Sequence, residues 1–272
     1  VRPDLIVHAA AQPSHELAAR RPLDDFEVNA LGTMNLLELA RQRGVTRFVF
    51  SSSAAVYGEP ERLPLEEDHP TRPTNPYGES KLALERILRW YGEAYGLTSI
   101  CLRYFNAAGA DPDAEVGELR EPETHLIPRA MMSIQGHLDD FEVFGSDYPT
   151  PDGTAIRDYI HVSDLADAHL AALRRLRDGK TSGAYNLGTG NGYSVKEVLE
   201  AISRETGEKL RAPVGLRREG DPAELVADAT LSGAELGWRP QRSELRSIVR
   251  TAWAWHRQAH PNKVAAHAGD KL

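Results

Sequence analysis

Cysteine is almost absent from the sequence, which contains Cys101 as the single cysteine among 272 residues. One cysteine cannot form a disulfide within the chain, so a disulfide-stabilised secreted scaffold is excluded and a reducing compartment is favoured. We therefore expect a cytoplasmic protein. The chain has 10 histidines, but the His-Glu-x-x-His pattern of zinc enzymes and any cysteine cluster are missing. The sequence accordingly predicts no metal site.

Long apolar runs and an excess of positive charge are also missing. No apolar stretch approaches the roughly 18 residues of a membrane-spanning helix, and the first residues do not resemble a signal peptide. The 32 Lys and Arg against 40 Asp and Glu give a net charge of −8. That balance argues against nucleic acid as a partner, although one nucleotide can still bind at a local site. We expect neither a membrane nor a nucleic-acid partner.

What is present is an ordinary globular composition, with 41% hydrophobic and 26% charged residues. Apolar segments of strand length alternate with helical patterns in the first part of the chain. The predicted elements are a strand at 5–11, a helix at about 23–43, a strand at 47–53, a helix at 76–95 capped by Asn75, and a strand at 97–104. This alternation predicts an α/β fold with a doubly wound parallel sheet.

The composition of the sequence changes after Asn106. From there on, acidic loops alternate with short elements that are separated by Gly, Pro and Asp. We therefore predict a first domain over 1–106. A smaller α/β domain is predicted over 107–260, with some of its segments returning to the first domain. The polar, Ala-rich residues 261–272 are predicted to form a flexible tail.

Tyr77 and Lys81 are the first candidates for chemistry, because positions i and i+4 share one face of a helix. A tyrosine has a pKa near 10, and a nearby ammonium lowers it by favouring the phenolate. Lowering that pKa to about 7 requires roughly 4 kcal/mol.

Ser53 follows a strand, where its hydroxyl can bond a substrate hydroxyl and relay a proton. The alternative is a solvated helix face and an ordinary serine-rich loop.

Polar residues later in the chain suit a phosphorylated ligand. Asn106 ends another strand and can bind a phosphate or hydroxyl, although a turn-forming asparagine is the alternative. Arg157 and Arg218 suit diphosphate oxygens, because a guanidinium donates two hydrogen bonds at once. Surface ion pairs explain these arginines equally well.

Taken in order, the motifs resemble the UDP-glucose 4-epimerases, a family of extended short-chain dehydrogenases/reductases with a Rossmann-like sheet. The likeness covers nearly all of residues 1–260. The segments that carry it are Ser-Ser-Ser-Ala-Ala-Val-Tyr-Gly at 51–58, Asn-Pro-Tyr-Gly-Glu-Ser-Lys at 75–81, Arg-Tyr-Phe-Asn-Ala-Ala-Gly at 103–109, Arg-Asp-Tyr-Ile-His at 157–161, Tyr-Asn-Leu-Gly-Thr-Gly at 185–190 and Arg-Arg-Glu-Gly-Asp at 217–221.

The resemblance implies roles at matching positions. Tyr77 would be the base that deprotonates the sugar 4-hydroxyl, Lys81 would lower its pKa and hold the nicotinamide ribose, and Ser53 would orient the hydroxyl. The C4 hydride would pass to tightly held NAD and return to the other face of a 4-keto sugar. The implied cofactor contacts are Ala9, Ala10, Ala11, Asn29, Ser51, Ser52, Tyr77, Lys81 and Phe105. The implied UDP-sugar contacts are Ser53, Asn106, His125, Leu126, Val143, Phe144, Arg157, Tyr159, Arg218, Asp221 and Leu225.

The sequence departs from the family pattern in three places. The Gly-x-x-Gly-x-x-Gly loop that seats the NAD pyrophosphate is absent, so the resemblance implies an N-terminally truncated chain that lacks roughly 60–80 residues. Pro13 replaces the usual lysine, as in epimerases of CDP-linked deoxyhexoses. Leu225 stands where a gate for the sugar C2 substituent is expected, which suggests tolerance for N-acetylated substrates.

These departures leave several functions open. The leading hypothesis is C4 epimerisation of UDP-glucose and UDP-galactose in galactose metabolism. The alternatives are an epimerase for a UDP-N-acetylhexosamine, a UDP-pentose or a CDP-sugar, and an inactive fragment that binds nucleotide sugars. Dehydratases usually carry Thr and an acidic residue in place of Ser51–Ser53. The two long helices also resemble those of the family's intersubunit bundle, which implies a homodimer.

Overall fold

The structure is a computed structural model that describes residues 3–218 and 220–260. Its helices are α1 (His15–Arg20), α2 (Pro22–Asp25), α3 (Gly32–Gln42), α4 (Pro76–Tyr95), α5 (Leu126–Ile134), α6 (Val162–Arg177), α7 (Val195–Thr206), α8 (Thr230–Leu236) and α9 (Leu245–Ala259). A π-helical segment, Phe26–Leu31, joins α2 to α3, and a 3₁₀ turn covers Ala54–Val56. None of the described helices is both long and apolar enough to cross a bilayer.

The described strands are β1 (Ile6–His8), β2 (Arg47–Ser53), β3 (Thr98–Tyr104), β4 (Asn106–Ala108), β5 (Val143–Phe144), β6 (Ile156–His161), β7 (Gly183–Leu187), β8 (Gly192–Ser194), β9 (Val214–Gly215) and β10 (Glu224–Leu225). They belong to two compact units. Unit 1 contains the described residues up to Phe105 together with Leu165–Gly190 and Ala227–Arg239. Unit 2 contains Asn106–Asp164, Asn191–Val226 and the described residues from Pro240 onward.

Unit 1 is built on a parallel sheet with the strand order β1-β2-β3-β7. Phe48 and Phe50 of β2 are fully buried and pack against Leu37 of α3 and against Leu84 and Leu88 of α4. Buried apolar residues on a parallel strand of this kind are typical of a sheet covered by crossover helices. The predicted Rossmann-like α/β class is thus confirmed.

Helix α4 begins and ends at the residues that the sequence predicts. The Asn75 side chain accepts a hydrogen bond from the Gly78 amide at 2.9 Å, and Pro76 occupies the first helical position. Gly96 ends the helix with a φ of 70°, a left-handed conformation that glycine adopts without strain. These caps fix the register of the helix, and therefore the direction of Tyr77 and Lys81.

Unit 2 contains a mixed sheet in which β6 pairs in parallel with β10 and β4 and antiparallel with β8. Strands β5 and β9 form a separate parallel pair. Helices α5, α7 and α9 enclose an apolar core around Met131, Val198, Ile202, Ile248 and Val249. The core holds the three helices together and leaves the strand ends and connecting loops to carry polar residues.

Two expectations for the N-terminal region are wrong in detail. Strand β1 ends at His8 rather than at Ala11, and α1 follows it, with Ser14 accepting a hydrogen bond from the Leu17 amide as its N-cap. The helix expected over 23–43 is divided by the π segment. The 261–272 tail lies outside the described residues.

Candidate active site

Tyr77 and Lys81 lie on one side of α4, and both are buried, with 8% and 3% of their surface exposed. The Lys81 ammonium Nζ lies 5.7 Å from the centroid of the Tyr77 ring and 4.9 Å from that of Phe50. It donates a hydrogen bond of 2.8 Å to the carbonyl oxygen of Ser51 at the end of β2. A cation is therefore fixed beside a buried phenol, which is the arrangement that favours a phenolate.

Gly78 allows α4 to approach the turn after β2. A Cβ atom at this position would lie only 2.4 Å from the carbonyl oxygen of Ala55, so any side chain would push the helix away. The same turn begins at Ser53, whose Oγ accepts a hydrogen bond from the Ala55 amide at 3.2 Å. The close approach brings the chain segment around Ser53 next to the N-terminal end of α4.

The electrostatics of Lys81 follow from its burial. Desolvation lowers its pKa from 10.5 to about 8, and the charges of Asp25 and Glu85 oppose this shift. Within the described part of the chain, the Ser51 carbonyl is its one hydrogen-bond acceptor. An ammonium has three N–H donors, so two remain for a bound molecule. A ligand with neighbouring hydroxyl groups, such as a ribose, fits this donor set.

Ser51 and Ser52 point to opposite faces of β2. The Ser51 Oγ lies 2.7 Å from the Tyr104 hydroxyl. The Ser52 hydroxyl donates to Glu85 at 2.5 Å, and Glu85 forms a buried ion pair with Arg103. Ser52 therefore belongs to the packing between α4 and the sheet, and its predicted cofactor contact stays a prediction.

Asn29 of the π segment fixes the chain that follows β1. Its Oδ1 accepts from the Gln12 amide at 2.8 Å, and its Nδ2 donates to the Gln12 carbonyl and to Asp25 Oδ1, each at 3.0 Å. The amide thus holds the segment containing Ala9, Ala10 and Ala11 in place. Its side chain is engaged within the protein, so a direct cofactor contact by Asn29 remains a prediction.

Several predicted substrate contacts of unit 2 lie on or next to β6. Asn106 is the register partner of Tyr159, and Leu225 is that of Arg157. The Arg157 guanidinium forms an ion pair of 2.5 Å with Asp221. Burial raises the pKa of Tyr159 to about 12, so its phenol is a neutral hydrogen-bonding group at physiological pH.

The remaining predicted substrate residues form two smaller groups. The Arg218 guanidinium lies over the ring of Phe144, 4.0 Å from its centroid, and Val143 precedes Phe144 in β5. His125 precedes Leu126, the first residue of α5, and its Nδ1 lies 2.7 Å from Glu118. Phe105 is buried, and in the sequence it separates the last residue of β3 from the first residue of β4.

Glu118, Glu123 and His125 bring potential metal-ligand atoms within 4.8 Å of one another. Their polar atoms already have partners, because Glu123 accepts from the Thr124 and His125 amides and Arg120 lies 3.4 Å from Glu118. These contacts account for the cluster without a cation, and we assign no metal to it.

Four polar residues that contact Asn29, Ser51 or one another in unit 1 have no clear signal in the sequence: Gln12, Asp25, Tyr104 and His169. Asp25 is completely buried, but an acidic residue in the first turn of a helix is common at the surface. His169 lies 2.6 Å from the Tyr104 hydroxyl, although a histidine four residues after Leu165 fits any amphipathic helix. Only the position of Tyr104 in a strand end hints at a role.

The parallel sheet and the buried Tyr77–Lys81 pair define a Rossmann-type protein of the short-chain dehydrogenase/reductase class. More narrowly, the chain belongs to the NAD dependent epimerase/dehydratase family, which matches residues 1–188.

The most informative relatives share one name. The UDP-glucose 4-epimerase of Halalkalibacterium halodurans is 46% identical over 98% of this chain and 80% of its own length. The UDP-glucose 4-epimerase of Streptococcus mutans is 47% identical over 93% of this chain and 76% of its own length. The crystal structure of the Brucella ovis UDP-glucose 4-epimerase in complex with NAD is 47% identical, with a TM-score of 0.90 over 93% of this chain and 78% of that one. The predicted resemblance to this family is confirmed.

Proposed function

We propose that the chain catalyses the NAD-dependent epimerisation of a UDP-hexose at C4, which interconverts UDP-glucose and UDP-galactose through a 4-keto intermediate. The observation that carries this proposal is the buried Lys81 ammonium beside Tyr77, at the end of the serine-bearing strand β2. Relatives named UDP-glucose 4-epimerase at 43–47% identity support the same reaction.

In this proposal Tyr77 takes the proton of the sugar 4-hydroxyl and later returns it. Lys81 holds a positive charge beside the phenolate that Tyr77 must form, and its remaining N–H donors bind the ribose of the cofactor. Ser53 orients the 4-hydroxyl from the adjoining turn. Bound NAD supplies the group that accepts the hydride from C4 of the sugar and that returns it in the second half of the reaction.

We further propose that unit 2 carries the UDP-binding residues. A TM-score of 0.88 relates the chain to the Bifidobacterium longum UDP-glucose 4-epimerase in complex with NAD+ and UDP, at 38% identity. Arginine suits diphosphate because its guanidinium donates paired hydrogen bonds. Arg157 and Arg218 therefore fit the diphosphate, while Asn106 and Tyr159 supply polar groups on neighbouring strands.

The test measures formation of UDP-glucose from UDP-galactose with added NAD. Wild-type protein should show conversion, and Tyr77→Phe should lower kcat by about 10²–10⁴ because it removes the general base. Tyr91→Phe on the same helix serves as the matched control and should remain active. Absence of conversion, with no bound nicotinamide after NAD addition, would instead support a module that only binds nucleotide sugars.

The C2 substituent of the sugar defines a second candidate function. Leu225 is half-buried and is the register partner of Arg157. The chain is 41% identical to the UDP-Glc/GlcNAc 4-epimerase of Campylobacter jejuni, with a TM-score of 0.79. Since leucine is intermediate in size, we propose some activity toward UDP-N-acetylhexosamines. Strict rejection of these substrates by the wild-type protein would remove this second candidate, whereas UDP-pentoses and CDP-sugars can be tested in the same assay.

We also propose a homodimer formed through the helical face of unit 1. Large apolar side chains are exposed along α2, the π segment and α3, among them Leu23, Val28, Leu31 and Leu39. Trp90 of α4 is 57% exposed. These exposed apolar side chains on neighbouring helical segments support the proposal.

A cytoplasmic location remains a proposal. It is supported by the single cysteine, which is buried and free. Cell fractionation that finds the protein outside the cytoplasm would contradict it.

A further inference from the structure

A hydrogen-bond chain lies on the face of β2 opposite Lys81. The Ser51 Oγ is 2.7 Å from the Tyr104 hydroxyl, which in turn is 2.6 Å from Nε2 of His169 on α6. Tyr104 is the register partner of Ser53, so its side chain shares a face of the sheet with Ser51 and Ser53. This series of hydrogen bonds therefore ends at Ser51, whose backbone carbonyl accepts a hydrogen bond from Lys81.

One backbone group of α6 sets the role of His169 in these contacts. Nδ1 of His169 lies 2.8 Å from the carbonyl oxygen of Leu165. A carbonyl only accepts, so Nδ1 carries a proton and Nε2 is the ring nitrogen that can accept from a neighbouring hydroxyl. Two hydroxyl groups lie within hydrogen-bond distance of Nε2, that of Tyr104 at 2.6 Å and that of Ser51 at 3.5 Å. The Tyr104 hydroxyl also donates to the Ser51 Oγ at 2.7 Å, so the three side chains form one closed group with His169 as its acceptor.

Tyr104 is also electrostatically connected to the catalytic tyrosine. Burial raises the pKa of Tyr104 above its ordinary value, the hydrogen bond with Ser51 opposes that shift, and negative charge on Tyr77 adds to it. Tyr104 consequently stays a neutral phenol when Tyr77 ionises. Tyr104 therefore connects His169 with Ser51 through its hydroxyl and does not exchange a proton with Tyr77.

We propose that His169 is a positioning residue that acts through Tyr104 on Ser51, and thereby holds the Ser51 carbonyl where it fixes Lys81 beside Tyr77. This inference rests on the proposed epimerase function. When His169 is lost, the Tyr104 and Ser51 side chains lose a hydrogen-bond partner. The Ser51 carbonyl remains in the β2 strand but is held less firmly, and so is the Lys81 ammonium that it binds. The ammonium then acts less strongly on the Tyr77 phenol, so a smaller fraction of Tyr77 ionises at a given pH.

The test compares His169→Leu, which removes the acceptor, with His169→Gln, whose amide oxygen can still accept from Tyr104. His169→Leu should lower kcat about tenfold with KM changed less than about twofold, because the lost interaction acts in the transition state. The acid limb of the kcat profile should move about one unit higher in pH. His169→Gln should restore most of kcat. The exposed neighbour Leu170 provides the control, since Leu170→Ala should leave all values unchanged.

A second readout does not depend on turnover. The ultraviolet absorbance of tyrosinate, taken as the difference between each protein and its Tyr77→Phe derivative, reports the ionisation of Tyr77 directly. It should shift upward in pH in His169→Leu and in Tyr104→Phe, and the double variant should shift no further than either single variant. Tyr104→Phe alone decides the matter if His169→Leu does not fold.

Two results would overturn the inference: an unshifted Tyr77 titration in a folded variant, or additive effects in the double variant. Inactivity of the wild-type protein would contradict the proposed epimerase function instead. The Tyr77 titration would then still decide whether His169 positions the pair.

Discussion

Lys81 carries its positive charge in a buried position, where desolvation outweighs the attraction of Asp25 and Glu85. Its ammonium is buried on α4 with a single carbonyl acceptor among the described residues. Below its folded pKa of about 8, the group must be desolvated while charged. Above the unfolded value of 10.5, it is neutral in both states and no penalty remains. The unfolded chain therefore binds more protons between these two values, so this group makes the stability rise with pH across that window.

The resulting prediction concerns the variant Lys81→Met, which cannot be protonated. At pH 7 the variant should gain stability relative to the wild type, and this gain should shrink by up to about 3 kcal/mol as pH rises from about 8 to 10.5. Chemical denaturation at several pH values measures the difference. Lys180→Met, at an exposed residue, is the control for removing a lysine from the surface. A constant difference for Lys81→Met would contradict the proposed cause.

At the scale of elements, the position of α4 depends on Gly78. A methyl group there would meet the Ala55 carbonyl at 2.4 Å, so Gly78→Ala must displace the helix or the turn after Ser53. We expect a loss of about 1–3 kcal/mol in the free energy of unfolding. A displacement of even 1 Å also misplaces Tyr77, so kcat should fall by about 10²-fold. Glu79→Ala, at the exposed neighbouring position, should change neither quantity much.

The buried ion pair of Arg103 and Glu85 joins β3 to α4. Its side chains are only 7% and 9% exposed, and the Arg103 Nη1 also donates to the Tyr57 hydroxyl at 2.8 Å. Glu85→Gln leaves a buried guanidinium without its counter-charge, which should cost about 3–5 kcal/mol of stability. The denaturation midpoint measures this loss.

The matched control for that ion pair lies on α3. Arg41 and Glu38 form an exposed pair with side chains 42% and 40% exposed, and Glu38→Gln should cost less than about 1 kcal/mol. Equal losses in the two variants would show that burial does not determine the strength of the Arg103–Glu85 pair.

The elements that sequence predicts well are those with strong local signals. Asn75, Pro76 and Gly96 define both ends of α4, and the apolar run of β2 gives its full length. The π segment has no such signal, since π turns are rare and lack a local sequence pattern. Its Asn29 bonds to Gln12, 17 residues earlier in the chain. Strand β1 is short for a related reason: after His8 the chain bonds to Asn29 instead of to a neighbouring strand.

The same distinction applies to the site. Tyr77 and Lys81 are four residues apart, so helical periodicity alone brings them together. The pairing of Tyr104 with His169 spans 65 residues and depends on how α6 packs within unit 1. No local pattern encodes such a contact, which is why the sequence identifies the Tyr77–Lys81 pair but not the Tyr104–His169 contact.

At the scale of the whole molecule, apolar side chains remain exposed on the helices that cover one face of the unit 1 sheet. Leu31 and Leu39 are 51% and 53% exposed, while Leu37 of the same helical region is buried against the sheet. The helices thus have an apolar inner face and a second apolar face that the single chain does not cover. We propose that a second copy of these helices covers this face.

We therefore predict a dimer in sedimentation equilibrium for the wild-type protein. Leu31→Glu and Trp90→Glu should each shift the protein toward monomer, because a charged carboxylate would be buried without a partner in the interface. Leu216→Glu is the control: Leu216 is 90% exposed but lies outside these helices, so the dimer should persist. A monomeric wild-type protein, or dissociation caused equally by Leu216→Glu, would show that the exposed helical face is not the interface. Retention of the α/β circular dichroism spectrum in the monomeric variants would separate dissociation from unfolding.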